Sequence, residues 1–316
     1  MQKQRAPGNR TLTISADEKT AFRKNLVIPG KNALSADEIT NKTICGNLFD
    51  LLDLLPTEFA DLLIIDPPYN LDKSFKDFKF SKTNDDAYYK YLESWFPGLL
   101  RALKPSGSVY ICGDWKSTFC LYRIMKEYTI IRNRIIWQRE KGRGAKANWK
   151  NSCEDIWFGT KSNEYYFNVD AVKQKRRVLA PYRKNGEPKD WQESEDGNFR
   201  LTHPGNFWDD ISVPYWSMPE NTEHPTQKPE KLGAKLILAS CPPGGLVLDP
   251  FAGSGTMQVA AKKLGRSYTG IEINPDYCCI AEKRLLLAEK NTAIQGYANR
   301  VFWERNTFNL QQTGKR

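Results

Sequence analysis

The chain has 316 residues, 40% hydrophobic and 27% charged, with 47 Lys/Arg against 37 Asp/Glu and a formal net charge of +10. That length holds two domains, or one large α/β domain carrying an insertion, and buries a core without disulfide or metal staples. A mean hydropathy of −0.61 and the lack of any apolar run near the ~20 residues of a bilayer span exclude a membrane protein.

The N-terminal stretch MQKQRAPGNRTLTIS has no apolar h-region behind its basic residues, so a cytoplasmic protein is expected. The first forty residues are punctuated by Pro7, Gly8, Pro29 and Gly30, and carry Ser-Ala-Asp-Glu twice, at 15–18 and 35–38. Each copy has the form of a capping box and predicts a short helix in an N-terminal arm. Alternating strands and helices follow: a strand at 43–45, a helix at 47–55, the apolar run 62–65 as a buried parallel strand, a helix at 88–103, and a strand at 108–112. Further strands are expected at 129–137 and 154–158. Residues 160–216 then break the rhythm as a polar, Pro/Gly-punctuated, aromatic-bearing stretch. An apolar helix at 229–240, a strand at 246–249, a glycine-rich turn, a helix at 257–264, a strand at 267–272 and a helix at 275–290 complete the pattern. Such alternation implies a doubly wound, mostly parallel sheet with helices on both faces.

The seven cysteines are odd in number and nowhere spaced as C-x-x-C, and with two histidines in the chain neither a zinc site nor a disulfide framework is expected. The positive charge is concentrated, because residues 132–190 hold 15 Lys/Arg against 7 Asp/Glu. A surplus of that kind favours a polyanionic partner.

Three motifs carry chemistry. At the end of the strand 62–65 stands Asp66-Pro67-Pro68-Tyr69, in which two prolines stiffen the backbone and hold a carboxylate and an aromatic ring at the carboxyl edge of the sheet. A carboxylate and a proline carbonyl can accept hydrogen bonds from an amino group while the Tyr69 ring stacks on a planar base. The second motif, Asp249-Pro250-Phe251-Ala252-Gly253-Ser254-Gly255-Thr256, runs from a strand through a glycine turn into a helix, where free amides favour an anionic group. Glu272 ends the next strand, 23 residues beyond Asp249, where an acid can take both ribose hydroxyls. Position 258 is Gln258, so the dinucleotide G-x-G-x-x-G is not met and a nucleoside with an anionic tail fits better. The third motif, His224-Pro225-Thr226-Gln227-Lys228-Pro229, precedes the apolar helix, and its Lys and Thr could pair with a ligand carboxylate.

Taken in that order, the three motifs resemble the S-adenosylmethionine-dependent DNA methyltransferases that modify exocyclic amino groups, in the permuted β group, where the catalytic motif precedes the cofactor motif. The resemblance spans residues 41–160 and 204–292. It implies a permuted, Rossmann-like class I methyltransferase sheet divided into an N-terminal arm (1–40), a catalytic half (41–160), a target-recognition region (161–216), a cofactor-binding half (217–300) and a C-terminal tail (301–316). It also implies that S-adenosyl-L-methionine is held by Asp249, Phe251, Ala252, Gly253, Ser254, Gly255 and Thr256 at its methionine end. Glu272 and Ile273 would meet its ribose side, and Thr226 and Lys228 its carboxylate. Asn47 follows Gly46 where the family commonly has Gly-Asp, and can still bond the cofactor's adenine as a neutral group. Asp66, Pro67, Pro68 and Tyr69 would hold the target base, with Asp66 also facing the cofactor. Asn151-x-x-Glu154 resembles the motif ahead of the recognition segment, but Cys153 stands where a His is usual, so that position is expected to carry no catalysis.

The acidic first residue of Asp-Pro-Pro-Tyr favours adenine N6; cytosine N4 is the alternative, and a catalytically silent nucleic-acid-binding subunit a more distant one. The Pro-Cys dipeptide of cytosine-C5 enzymes is absent. The implied substrate is double-stranded DNA from which the base is flipped. Arg139, Lys141, Arg143, Lys146 and Lys150 are expected to contact phosphates near the active-site mouth, and Lys173, Lys175, Arg176, Arg177, Arg183 and Lys184 to contact DNA from the insertion. A cognate restriction endonuclease, without stable contact, and a homodimer are the protein partners such a family allows. Trp208 is expected to pack in the core.

Overall fold

The computed structural model describes residues 6–75, 78–139, 147–178, 182–193 and 198–305. Its frame is one sheet of eight strands: β1 (Lys42–Cys45), β2 (Ala60–Ile65), β3 (Leu103–Gly113), β4 (Ile130–Gln138), β5 (Cys153–Thr160), β6 (Phe207–Trp208), β7 (Leu246–Asp249) and β8 (Ser267–Glu272). The order across the sheet is β1-β8-β7-β2-β3-β5-β4-β6, and each neighbouring pair is parallel except the two that involve β5. This is the expected α/β architecture. Strands β7 and β8, late in the chain, fill the gap between β1 and β2. The carboxyl ends of β2, β7 and β8 therefore lie side by side, and Asp66 meets Lys228, 162 residues away in the loop that precedes the helix Glu230–Ser240.

Nine helices occur among the described residues: α1 (Ala16–Arg23), α2 (Ala36–Ile39), α3 (Leu48–Leu51), α4 (Asp85–Glu93), α5 (Phe96–Leu100), α6 (Thr118–Tyr128), α7 (Glu230–Ser240), α8 (Thr256–Lys263) and α9 (Pro275–Lys290). Both Ser-Ala-Asp-Glu segments form complete capping boxes on α1 and α2. The helix expected over 88–103 is instead two, because the first ends at Ser94 and the second restarts with Pro97 in its first turn; Leu103 already belongs to β3. The helix expected over 47–55 is one turn, started by the Asn47 side chain accepting the Phe49 amide at 3.3 Å. In β2 the side chains alternate between two cores: Leu63 and Ile65 pack with Trp95, Phe96 and Leu121, while Leu62 and Ile64 pack with Trp137, Leu236 and Val259. Both faces are buried, which is why the strand reads as a continuous apolar run.

All of α7 is buried, including three charged residues. Lys231 and Lys235 each reach an Asp210 oxygen at 2.7 Å, and Glu230 meets Arg284 at 2.9 Å and Lys263 at 2.7 Å, so each buried charge of the helix has a partner of opposite sign. Trp208 is buried beside Lys235, whose ammonium lies 4.9 Å from its ring.

The region that breaks the α/β rhythm contains its own small sheet. Gln174–Arg177 pairs antiparallel with Phe199–Thr202 and parallel with Val301–Trp303, so the last described residues form a strand where a tail is expected. A two-residue hairpin joins Arg183–Lys184 to Glu187–Pro188, with Asn185 and Gly186 both at positive φ, as such turns require. The N-terminal arm lies on α9, where Lys19 meets Asp276 at 2.6 Å and the Lys283 ammonium bonds the Thr13 carbonyl at 2.9 Å. No helix among the described residues is long and apolar enough to cross a membrane.

Candidate active site

A cavity of about 330 Å³ opens at the carboxyl edge of the sheet, where connections leave β2 and β7 in opposite directions. Its wall includes Asn47, all of Asp66-Pro67-Pro68-Tyr69, Thr226, Lys228, Phe251, Gly253, Glu272 and Ile273, so one cavity gathers residues from all three motifs.

At the Asp66 end the side chains form a closed ionic network. The Lys228 ammonium donates to both Asp66 oxygens at 2.7 Å and lies 3.1 Å from the Tyr69 hydroxyl and 3.4 Å from Glu154 Oε2. The Tyr69 hydroxyl stands 3.0 Å from Asp66 Oδ1 and 3.1 Å from Glu154 Oε2, and the Arg139 guanidinium donates to the other Glu154 oxygen. Lys228 is 7% and Glu154 5% exposed by side chain. Burial alone would depress the Lys228 pKa, but the Asp66 and Glu154 carboxylates outweigh it and hold the ammonium protonated well above its ordinary range. Burial also raises the Tyr69 phenol, and the two carboxylates add to the effect. The rigid turn is fixed from below, where the Tyr88 hydroxyl donates to the Pro68 carbonyl at 3.1 Å and Asn70 exchanges hydrogen bonds with the Thr83 backbone.

The glycine-turn end is held differently. Asp249 Oδ1 accepts the Phe251 amide at 3.2 Å, while the Glu272 carboxylate accepts the Gly253 amide at 2.8 Å and the Asn274 amide at 2.7 Å. Burial pushes the Asp249 carboxyl up to about 8 and raises that of Glu272, in both cases against the pull of those amides. Gly253 and Gly255 have φ of +53° and +76°, and a Cβ would lie 2.9 Å from His224 Nε2 at the first and 2.6 Å from the Ala281 Cβ at the second. Only glycine serves at either position.

Several expected placements need correction. Lys228 is engaged by Asp66 and Glu154 rather than standing open to a cofactor carboxylate. Ser254 and Thr256 lie behind the cavity: Arg284 donates to the Ser254 carbonyl and the Thr256 hydroxyl at 2.9 Å each, and that hydroxyl bonds the Lys228 carbonyl at 3.1 Å. These two build the turn, and Asp249, Ala252 and Gly255 likewise sit outside the wall. Glu154, which had no expected role, belongs to the network, and Trp137, His224, Asn151 and Tyr277 line the cavity without having been expected as site residues. The Asn151-x-x-Glu154 spacing was the available signal for Glu154.

Among the described residues, most of the expected DNA-contacting cations are engaged within the chain. Lys173 meets Asp170 at 2.7 Å, Arg176 meets Asp209 at 3.1 Å, Arg183 meets Glu193, and Lys175 sits between the Phe199 and Trp303 rings at 4.6 and 4.4 Å. Lys150, Arg177 and Lys184 are exposed, whereas Lys141, Arg143 and Lys146 lie outside the described residues.

The cavity fits a nucleoside carrying a charged tail: an acid at the end of β8, a glycine turn that admits close approach of backbone, and aromatic rings from Phe251 and Tyr69. Comparison with known proteins agrees. A DNA methylase family model matches residues 60–283. The chain is 36% identical over 260 residues to DNA adenine methyltransferase YhdJ of Escherichia coli (strain K12), covering 80% of this chain and 85% of that protein. It is 35% identical over 251 residues to type II methyltransferase M.HpaI of Haemophilus parainfluenzae, covering 77% and 74%. In fold it is similar to the cytosine-N4-specific PvuII DNA methyltransferase, at a TM-score of 0.57 and 17% identity over 85% of this chain and 94% of that one. The M1.HpyAVI–SAM complex is also similar, with a TM-score of 0.53 and 23% identity over 77% and 98%. The chain belongs to the N6/N4 DNA methylase family, whose methyl donor is S-adenosylmethionine.

Proposed function

We propose that this chain methylates the N6 amino group of adenine flipped out of double-stranded DNA. The observation that carries the reading is the Asp66 carboxylate, fixed by two prolines at the cavity wall with Tyr69 beside it. An acidic residue at the head of the tetrapeptide and the similarity to an enzyme named as a DNA adenine methyltransferase support adenine over cytosine N4.

The chemistry follows from the amino group. Its lone pair is delocalised into the ring and poorly nucleophilic. Asp66 Oδ1 already receives Lys228 and Tyr69, but Oδ2 receives only Lys228 and keeps a lone pair for an amino proton. The Pro67 carbonyl takes the second amino proton. Two acceptors on one nitrogen draw it toward a pyramidal geometry and return its lone pair to the nitrogen. When bound, S-adenosylmethionine would supply an electrophilic methyl on a sulfonium; transfer to the nitrogen would break the sulfur–methyl bond, release the neutral thioether, and pass the surplus amino proton by way of the Asp66 carboxylate to solvent. Glu272, Thr226, Asn47 and the Phe251–Gly253 turn would hold that cofactor, and stacking on Tyr69 offsets part of the few kcal/mol that flipping costs. Residues 161–216 are the proposed target-recognition region, with Arg177 and Lys184 among its phosphate contacts and Lys150 contacting phosphate near the active-site mouth.

The test is incubation with methyl-labelled S-adenosylmethionine and unmethylated genomic DNA, followed by nucleoside mass analysis. N6-methyladenine at one short motif is expected. N4-methylcytosine would replace adenine with cytosine as the target, and no label in DNA, with cofactor binding intact, would overturn the reading.

A further inference from the structure

The sequence places Lys228 toward the cofactor and leaves Glu154 without a role, yet the structure pairs Lys228 with Asp66 and sets Glu154 against the same ammonium. We propose that Glu154 is a positioning residue for methyl transfer: with Arg139 behind it, it holds the Lys228 ammonium against Asp66, so that the carboxylate is fixed in its plane and aimed at the target amino group. The inference rests on the methyltransferase reading above and assigns Lys228 to the acceptor of the base rather than to the cofactor.

The geometry is specific. One ammonium bonds both Asp66 oxygens at 2.7 Å, which removes the rotation a lone carboxylate would have. Its other neighbours are the Tyr69 hydroxyl at 3.1 Å and Glu154 Oε2 at 3.4 Å. Glu154 reaches the site from β5, beyond β3 in the sheet, and the Arg139 guanidinium at the end of β4 takes its second oxygen. Two carboxylates are thus matched by two cations, and because Lys228 and Glu154 are buried, removing Glu154 leaves the charge on the ammonium less balanced. Without Glu154, Lys228 would answer to Asp66 alone and would release its proton more readily. A neutral Lys228 accepts as well as donates, and no longer fixes the carboxylate. The other groups facing Lys228 do not replace Glu154: the Tyr69 phenol and the Cys112 thiol are both pushed up by burial and stay neutral, and Asp249 is likewise raised.

The experiment compares wild type with Glu154→Gln and Glu154→Asp, each checked for a native melting transition. Single-turnover methyl transfer to DNA is measured across pH, cofactor affinity is measured by calorimetry without DNA, and the Lys228 side chain is titrated by NMR in ¹³C-lysine-labelled, cofactor-free protein, its signal assigned by Lys228→Arg. For Glu154→Gln the expected result is a transfer rate lower by about ten- to a hundredfold, cofactor affinity within about twofold, and a loss of rate at alkaline pH that wild type lacks. That loss should coincide with a Lys228 titration brought into the accessible range. Glu154→Asp, which keeps the charge, should fall between the two, and it carries the test if the glutamine variant does not fold. A wild-type rate in both variants, a rate loss matched by an equal loss of cofactor affinity, or a Lys228 titration that does not move would each overturn the inference. If wild type itself transfers no methyl group to DNA, the methyltransferase reading fails instead, and the NMR titration still decides whether Glu154 controls Lys228.

Discussion

Carboxylates stand at both ends of the cavity, in or just behind its wall, and they are stabilised by opposite means. At the Asp66 end the acids are matched by Lys228 and Arg139, side chains whose charge is complete before any ligand arrives. At the glycine-turn end Asp249 and Glu272 lean on backbone amides, and burial raises both carboxyls, that of Asp249 to about 8. The first arrangement favours a fixed geometry and suits a residue that must point at one atom. The second leaves electrostatic demand unmet, which a ligand rich in hydrogen-bond donors and positive charge can supply. The site is thus preorganised where the base is expected and underfilled where the cofactor is expected.

The largest effect should come from breaking the fixed end. Asp66→Ala removes the amino-group acceptor and is expected to lower methyl transfer on the order of a thousandfold, with cofactor affinity by calorimetry changed only a few-fold; comparable activity in mutant and wild type would remove Asp66 from the reaction. At the other end Glu272→Gln should do the reverse, weakening cofactor binding by about ten- to a hundredfold while the transfer rate at saturating cofactor stays near that of wild type. A loss of rate with unchanged affinity would exchange the roles assigned to the two ends.

A smaller and distinctive effect concerns stability. Folded Asp249 titrates near 8, above its unfolded value of 3.8, so between those limits the folded chain holds a proton that the unfolded chain has lost. Its contribution is present at low pH and is withdrawn as pH rises through the folded value. Asp249→Asn should therefore raise the melting temperature of the cofactor-free protein at about pH 8, with the gain shrinking toward the unfolded value, while cofactor binding weakens. Melting curves across that window, with and without cofactor, check both halves. The smallest effect is expected in the small sheet: Lys184→Ala should reduce the salt slope of DNA binding by about 1, and Arg176→Ala by less, since it also releases the paired Asp209. Equal slopes for the two variants would mean that the internal ion pair does not compete with phosphate.

Much of the frame was legible from local signals. Capping boxes, strand-ending prolines and the apolar run of β2 each depend on neighbours in sequence, and the structure places those elements within a few residues of expectation. The overlong helix at 88–103 failed despite a visible Pro97, because the apolar periodicity of 88–103 outweighed it. In the polar region the Asn185-Gly186 pair was a hairpin signal passed over among other turn residues. The partner of Lys228 was not legible at all. Which of several carboxylates an ammonium meets is decided by strand order, and β5 reaches Lys228 only because β7 inserts beside β2. Cys153 in place of a histidine drew attention away from Glu154, although it is the glutamate that faces the cavity.

The interleaving of late and early strands also sets a timetable for synthesis. Strand β2 acquires its neighbour β7 only when residues 246–249 have left the ribosome, and Gln174–Arg177 acquires its parallel partner only with Val301–Trp303. Until then β1 has no strand partner and β2 is open on one side. A chain truncated before Val301 would leave Gln174–Arg177 without its parallel neighbour and the small sheet with an unpaired edge.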